Sequence, residues 1–172
     1  MTRRWLALST ALGIFALDRG TKWLVETRFE SWDTKPIIPG FMNIVRSENP
    51  GVAFGIFADT VSHYRTLALV ALSMLAICIL AWLLWKIERH DRYTAAGISL
   101  IFGGALGNVF DRVRSGHVTD FIDLYSGSYH WYVFNLADTA ICIGAGLLIL
   151  GMFLQERDVK RRNAIKETGA GA

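Results

Sequence analysis

The sequence predicts an all-α membrane protein: four transmembrane helices, with a small extracytoplasmic β-platform between the first and the second. Three observations predict it. The 172-residue chain is 52% hydrophobic with mean hydropathy +0.33, too apolar for an ordinary soluble domain. Its apolar residues are bunched into stretches long enough to cross hydrocarbon. Its lysines and arginines are divided unevenly between the two sets of connecting loops.

Taken in order, the first helix spans about 5–25, although Asp18, Arg19 and Lys22 interrupt it near its end. Arg3-Arg4 before an apolar run also resembles a secretory signal peptide, but no small-x-small cleavage site follows and three more spans come later. Residues 66–85 run twenty positions without a charge, 94–110 seventeen and 139–154 sixteen. A helix rises about 1.5 Å per residue, so roughly 20 residues cross the bilayer core. The remaining helices are therefore expected at 66–85, 94–112 and 131–154, in one domain over 1–154, with a polar, frayed tail over 155–172.

With that layout, the N-terminus, the 86–93 loop and the tail carry ten Lys and Arg, against five in 26–65 and 113–130. The positive-inside rule then places both termini in the cytoplasm. Trp5, Trp82 and Trp85 fall at inner boundaries, and Trp23 and Trp131 at outer ones, where the indole N–H reaches water. The net charge of +3 is small and gives no reason to expect nucleic acid. Cys78 and Cys142 read as small buried hydrophobes, neither a disulfide nor a nucleophile.

The loop 26–65 holds all three prolines. Residues 41–45 suit a short strand, Glu48-Asn49-Pro50-Gly51 a tight turn and 52–57 a return strand. Ser99, Gly103 and Gly107 form a small-residue stripe on the third helix, and Ala140 and Gly144 a notch on the fourth. Such stripes let helix backbones approach closely, within one bundle or between copies. A monomer is expected.

Ionisable residues inside a membrane segment cost roughly 2.5–3.5 kcal/mol each on insertion scales, so they are usually paired or functional. Here they converge at one depth. Asp18, Arg19 and Lys22 lie late in the first helix, Asn108, Asp111 and Arg112 late in the third, and Asn135 and Asp138 early in the fourth. Asp18 and Lys22 are four apart and can pair. Asn135, three before Asp138, can support that carboxylate, and the loop carrying Asp120 and Asp123 is short enough to fold Asp120 over Asp138. Two close carboxylates in a dry site share a proton and can activate a water. Periodicity leaves a second reading open: Asp138 as a structural charge satisfied by Arg112 or Lys22. Neither a metal nor a cofactor is expected, because His63, His90, His117 and His130 are scattered without ligand spacing.

Five segments carry a resemblance: Leu17-Asp18-Arg19-Gly20-Thr21-Lys22, Glu48-Asn49-Pro50-Gly51-Val52-Ala53-Phe54-Gly55, the run 103–112, the run 116–123, and Phe134-Asn135-Leu136-Ala137-Asp138. In this order the chain resembles the lipoprotein signal peptidases, or signal peptidase II, over about 5–154. The resemblance implies a membrane aspartyl peptidase with Asp120 and Asp138 catalytic. It implies that Asp18, Lys22, Asn49, Gly51, Asn108, Asp111, Arg112, Asn135 and Ala137 support or line the site. The implied partners are diacylglyceryl prolipoproteins, membrane lipid and globomycin-type inhibitors. The implied location is the bacterial inner membrane, with the site near its outer face. Arg19 departs from the family's usual Gln, which puts local packing in doubt. The rival readings are a small proton-relay transporter, which predicts polar residues along the full membrane depth, and a non-catalytic scaffold.

Overall fold

Each apolar stretch folds as a helix, and the stretches between them supply one small sheet. The computed structural model describes residues 3–51, 62–86 and 92–169. In chain order these are α1 (Arg3–Arg28), β1 (Thr34–Ile38), β2 (Met42–Asn49), α2 (Ser62–Lys86), α3 (Arg92–Ser115), β3 (Val118–Ser126), β4 (Tyr129–His130) and α4 (Leu136–Gly169).

Three helical segments are long and apolar enough to cross a membrane: Thr66–Lys86, Arg92–Ser115 and Leu136–Arg157. α1 is 26 residues long, but its charges make it less apolar than the others. Two of those charges, Asp18 and Lys22, are fully buried. α3 is the central helix: it packs most extensively on α4, then on α1 and α2. α2 exposes Leu67, Leu72, Leu75 and Trp82 along its length, a surface suited to lipid rather than water.

The small-residue stripe works inside the bundle. A Cβ on Gly103 would lie 2.5 Å from the Ala11 carbonyl oxygen of α1, and one on Gly104 2.5 Å from the Ala137 oxygen of α4. Gly97 and Gly144 face each other in the same way, each within 2.7 Å of the other's carbonyl.

The sheet is antiparallel, in the order β1-β2-β3-β4. This corrects the expectation of a platform built between the first two helices alone. β2 pairs with β3, which comes from the connection between α3 and α4, with Ser47 opposite Asp120 and Asn43 opposite Asp123. Asp120 and Asp123 are thus strand residues, not loop residues. The return strand expected over 52–57 lies outside the described residues.

Three further expectations are revised. α4 begins at Leu136, because residues 131–134 run along β3 instead: Ile122 N–H donates to the Phe134 carbonyl (2.8 Å) and Phe134 N–H to that of Ile122 (3.1 Å). The polar tail is not frayed from residue 155; α4 continues through it for 34 residues in all, about 51 Å, well past a ~30 Å hydrocarbon core. Cys78 and Cys142 are free thiols as expected but exposed on the helix surfaces, because lipid as well as protein accepts an apolar side chain.

Candidate active site

The N-terminus of α4 organises the site. Asn135 is the N-cap of this helix: its Oδ1 accepts the Asp138 N–H (2.9 Å), and the Asp138 carboxylate accepts the Asn135 N–H (3.3 Å). This reciprocal pair is a capping box with Asn and Asp in its two roles. It fixes the Asp138 side chain over the helix end. The Asn135 amide nitrogen then donates to Asp120 Oδ1 at 2.6 Å. One fully buried side chain therefore contacts both carboxyl-bearing residues.

The second oxygen of each carboxyl is also assigned. Asn49 Nδ2 donates to Asp120 Oδ2 (3.0 Å), and Asn108 Nδ2 to Asp138 Oδ1 (2.8 Å). Asn49 can reach because β2 ends there. Its own Oδ1 accepts the Gly51 N–H at 2.8 Å, closing a turn in which Gly51 takes φ +85°, a value that disfavours a side chain.

Below this layer lies a buried ionic cluster. Lys22 Nζ is 2.8 Å from Asp18 Oδ2, 2.8 Å from Asp111 Oδ2 and 3.0 Å from Asn108 Oδ1. Its contact with Asp18 Oδ2 is an ion pair without hydrogen-bond alignment. Asp18 Oδ1 accepts the Ala137 N–H at 3.0 Å, which ties α1 to the first turn of α4. Asn108 joins the layers. Lys22 requires an oxygen and Asp138 a donor, so the amide orientation is fixed by its neighbours. A methyl group on Gly107 would collide with the Asp18 carboxylate, so this glycine gives the cluster its room.

Neither cation of the structural-charge reading touches the Asp138 carboxylate directly. Lys22 reaches it only through Asn108. Arg112 donates to the Asn108 carbonyl (3.3 Å) and sits within electrostatic reach of Asp138, Asp120 and Asp111. Among the described residues it forms no ion pair with any of them.

The sequence reading missed two contributors, Glu26 and Thr119, which gather beside Arg19. Arg19 pairs with Asp111 and with Glu26 (3.7 Å), and its guanidinium stacks 4.9 Å from the Phe110 ring centre. Glu26 accepts the Thr119 hydroxyl at 3.0 Å, and Asp111 Oδ2 faces the Thr119 N–H at 3.4 Å. Both grips fall on the residue before Asp120. Arg19, Lys22 and Glu26 recur at helical spacing, a signal that could have placed Glu26 on the charged face. Asp123 lies apart from the pair, bonded to Asn43 (2.8 Å) and His130 (2.8 Å).

Asp120 is 3% exposed. Burial pushes its carboxyl up to about 6, and the nearby Asp138 charge adds to the rise, while the bonds from Asn49 and Asn135 oppose it.

A bundle with lipid-suited faces that brings Asp120 and Asp138 onto one residue, Asn135, defines a membrane protein with two carboxyl-bearing residues gathered at the start of α4. The family profile of signal peptidase (SPase) II matches residues 10–154. The chain is 53% identical over 154 residues to a lipoprotein signal peptidase of Solibacter usitatus, covering 90% of this chain and 94% of that one. It is 40% identical to that of Geobacter sulfurreducens, covering 87% and 92%. A solved bacterial membrane enzyme, determined by the in meso method, superposes with TM-score 0.78 at 29% identity, over 89% of this chain and 90% of the other. The chain belongs to the signal peptidase II family.

Proposed function

We propose that the chain is an aspartyl endopeptidase that removes the signal peptide from diacylglyceryl-modified prolipoproteins, cutting on the amino side of the lipidated cysteine. The observation that carries this reading is the shared Asn135, which holds Asp120 by its side chain and Asp138 by a capping box. In the proposed reaction a water between the carboxyl groups loses a proton to Asp138 and attacks the scissile carbonyl. Asp120 protonates the departing nitrogen. The positive end of the α4 dipole lies at Asp138, and burial extends upward the pH range over which Asp120 holds its proton. Arg112 and Asn49 then face the substrate backbone. All four helices cross the membrane with both termini cytoplasmic, as the Lys and Arg distribution favours. The site then lies near the outer face of the bacterial inner membrane, where a substrate anchored by lipid presents its scissile bond. Globomycin-type inhibitors would occupy the same site.

Two outcomes test this chemistry. Purified protein in detergent is expected to release a signal peptide ending at the residue before the lipidated cysteine, as read by mass spectrometry, at a rate unchanged by EDTA. Loss of cleavage with EDTA and recovery with a divalent metal would replace the paired-acid mechanism. The pH profile follows from Asp120, whose folded value of about 6 lies above 3.8. As proton donor it is competent below that value and loses its proton above it. kcat/KM is expected to fall as pH rises through about 6, toward tenfold per unit. A rising profile across the same window would assign Asp120 the opposite role.

A further inference from the structure

On the flank of the sheet next to α1 lies a trough of about 820 Å³. Its floor is apolar, formed by Leu24, Phe29, Ile44 and Phe121, and its lining includes the cations Arg28 and Lys35 together with Asp33. The proposed mechanism uses none of these residues.

The surroundings specify what fills it. β1 is exposed at all five positions, yet it presents Ile37 and Ile38. The adjoining end of α1 exposes Trp23 and Leu24, and Trp32 follows. An exposed apolar edge strand in water is an association hazard. Beside a tryptophan-bearing helix end it is suited to the bilayer interface instead. Arg28 and Lys35 are exposed, and neither has an ion-pair or hydrogen-bond partner among the described residues. Asp33 offsets one of the two charges, and its Oδ2 is committed to the Glu30 N–H at 2.8 Å.

We infer that this trough binds an anionic glycerophospholipid of the surrounding bilayer, with an acyl chain on the apolar floor and the phosphate between Arg28 and Lys35. Long basic side chains reach to headgroup level while their stems lie on apolar surface. Two cations with free donors beside a lipid-sized apolar trough discriminate against zwitterionic headgroups, whose own ammonium competes for the phosphate. This inference does not depend on the peptidase chemistry.

The test uses the full chain in neutral detergent. Phosphatidylglycerol is expected to raise the thermal midpoint by roughly 4 °C more than phosphatidylcholine, and native mass spectrometry should show a retained phosphatidylglycerol. The Arg28→Gln/Lys35→Gln variant should keep its midpoint in neutral detergent and lose both responses. Equal stabilisation by the two lipids would overturn the inference. So would a double variant that still retains the anionic lipid, or an equal shift from soluble glycerol 3-phosphate. If the double variant does not fold, Lys35→Gln alone, on the exposed edge strand, must weaken lipid retention in the same spectra; unchanged retention would again overturn it.

Discussion

Lys22→Met is expected to lower the thermal midpoint by roughly 10 °C, or to prevent recovery of folded protein. Lys22 is fully buried, and its ammonium lies 2.8 Å from both Asp18 and Asp111. Methionine keeps most of the volume and removes only the charge. It leaves two carboxylates sharing a dry interior, with Arg19 paired to Asp111 but not to Asp18 and Arg112 acting on Asp111 only through space. Breaking a buried pair by deleting one partner costs about 3–5 kcal/mol. The variant should also lose activity, because Asn108 would lose the contact that orients its amide toward Asp138. Adding Asp18→Asn should restore part of the midpoint, since it removes one of the uncompensated charges. Thermal unfolding in detergent reads both variants. A Lys22→Met midpoint equal to that of the unaltered protein would mean that this cluster does not hold the bundle together.

Much of the helical frame was legible because hydropathy is a local property. The stretches at 66–85 and 94–110 specify α2 and α3 to within a few residues at either end. The Asp18–Lys22 pair was legible for the same reason: four residues is one helical turn. Other features were not local. Nothing in the periodicity of 42–49 says that its partner strand lies at 118–126, so the sheet's second half was invisible. Trp131 to Phe134 is as apolar as the helix that follows it, so the start of α4 was set too early. Hydrogen bonds to β3 decide that boundary. The cysteines were assigned to the interior because apolar patterning in a membrane does not separate protein-facing from lipid-facing positions.

The site was partly legible. Convergence of Asp18, Asn108, Asp111, Asn135 and Asp138 at one depth followed from topology alone. The three-residue spacing of Asn135 and Asp138 signalled their contact, but the Asp138 carboxylate is held by the Asn135 backbone N–H and not by its side-chain amide. What spacing could not give was the choice between a structural and a chemical role for Asp138. Its hydrogen-bond partners are amide and backbone donors, while Arg112 acts on it through space. Arg19 shows the limit from the other side. Its departure from the family's usual Gln left local packing in doubt, and the structure supplies Asp111 and Glu26 as its partners.

The largest effect on activity is expected at the pair itself. Asp120→Asn and Asp138→Asn should each reduce cleavage of a diacylglyceryl prolipoprotein by at least roughly 10³-fold, because each removes a proton-transferring group. Asp120→Asn should do so without unfolding the protein. In the fold its carboxyl is raised to about 6 from 3.8. The folded state therefore binds the proton more tightly than the unfolded chain, and stability falls as pH rises through that window. Above it the cost of ionising the buried group is on the order of 3 kcal/mol. Asparagine is never ionised, so this gain offsets the loss of one accepted amide bond, about 1–3 kcal/mol. The most direct measurement is the cleavage rate of purified Asp120→Asn and Asp138→Asn at neutral pH, each alongside its thermal midpoint. The paired-acid account predicts folded proteins whose cleavage is at or near background. Turnover within about tenfold of the unaltered protein in either variant would contradict it.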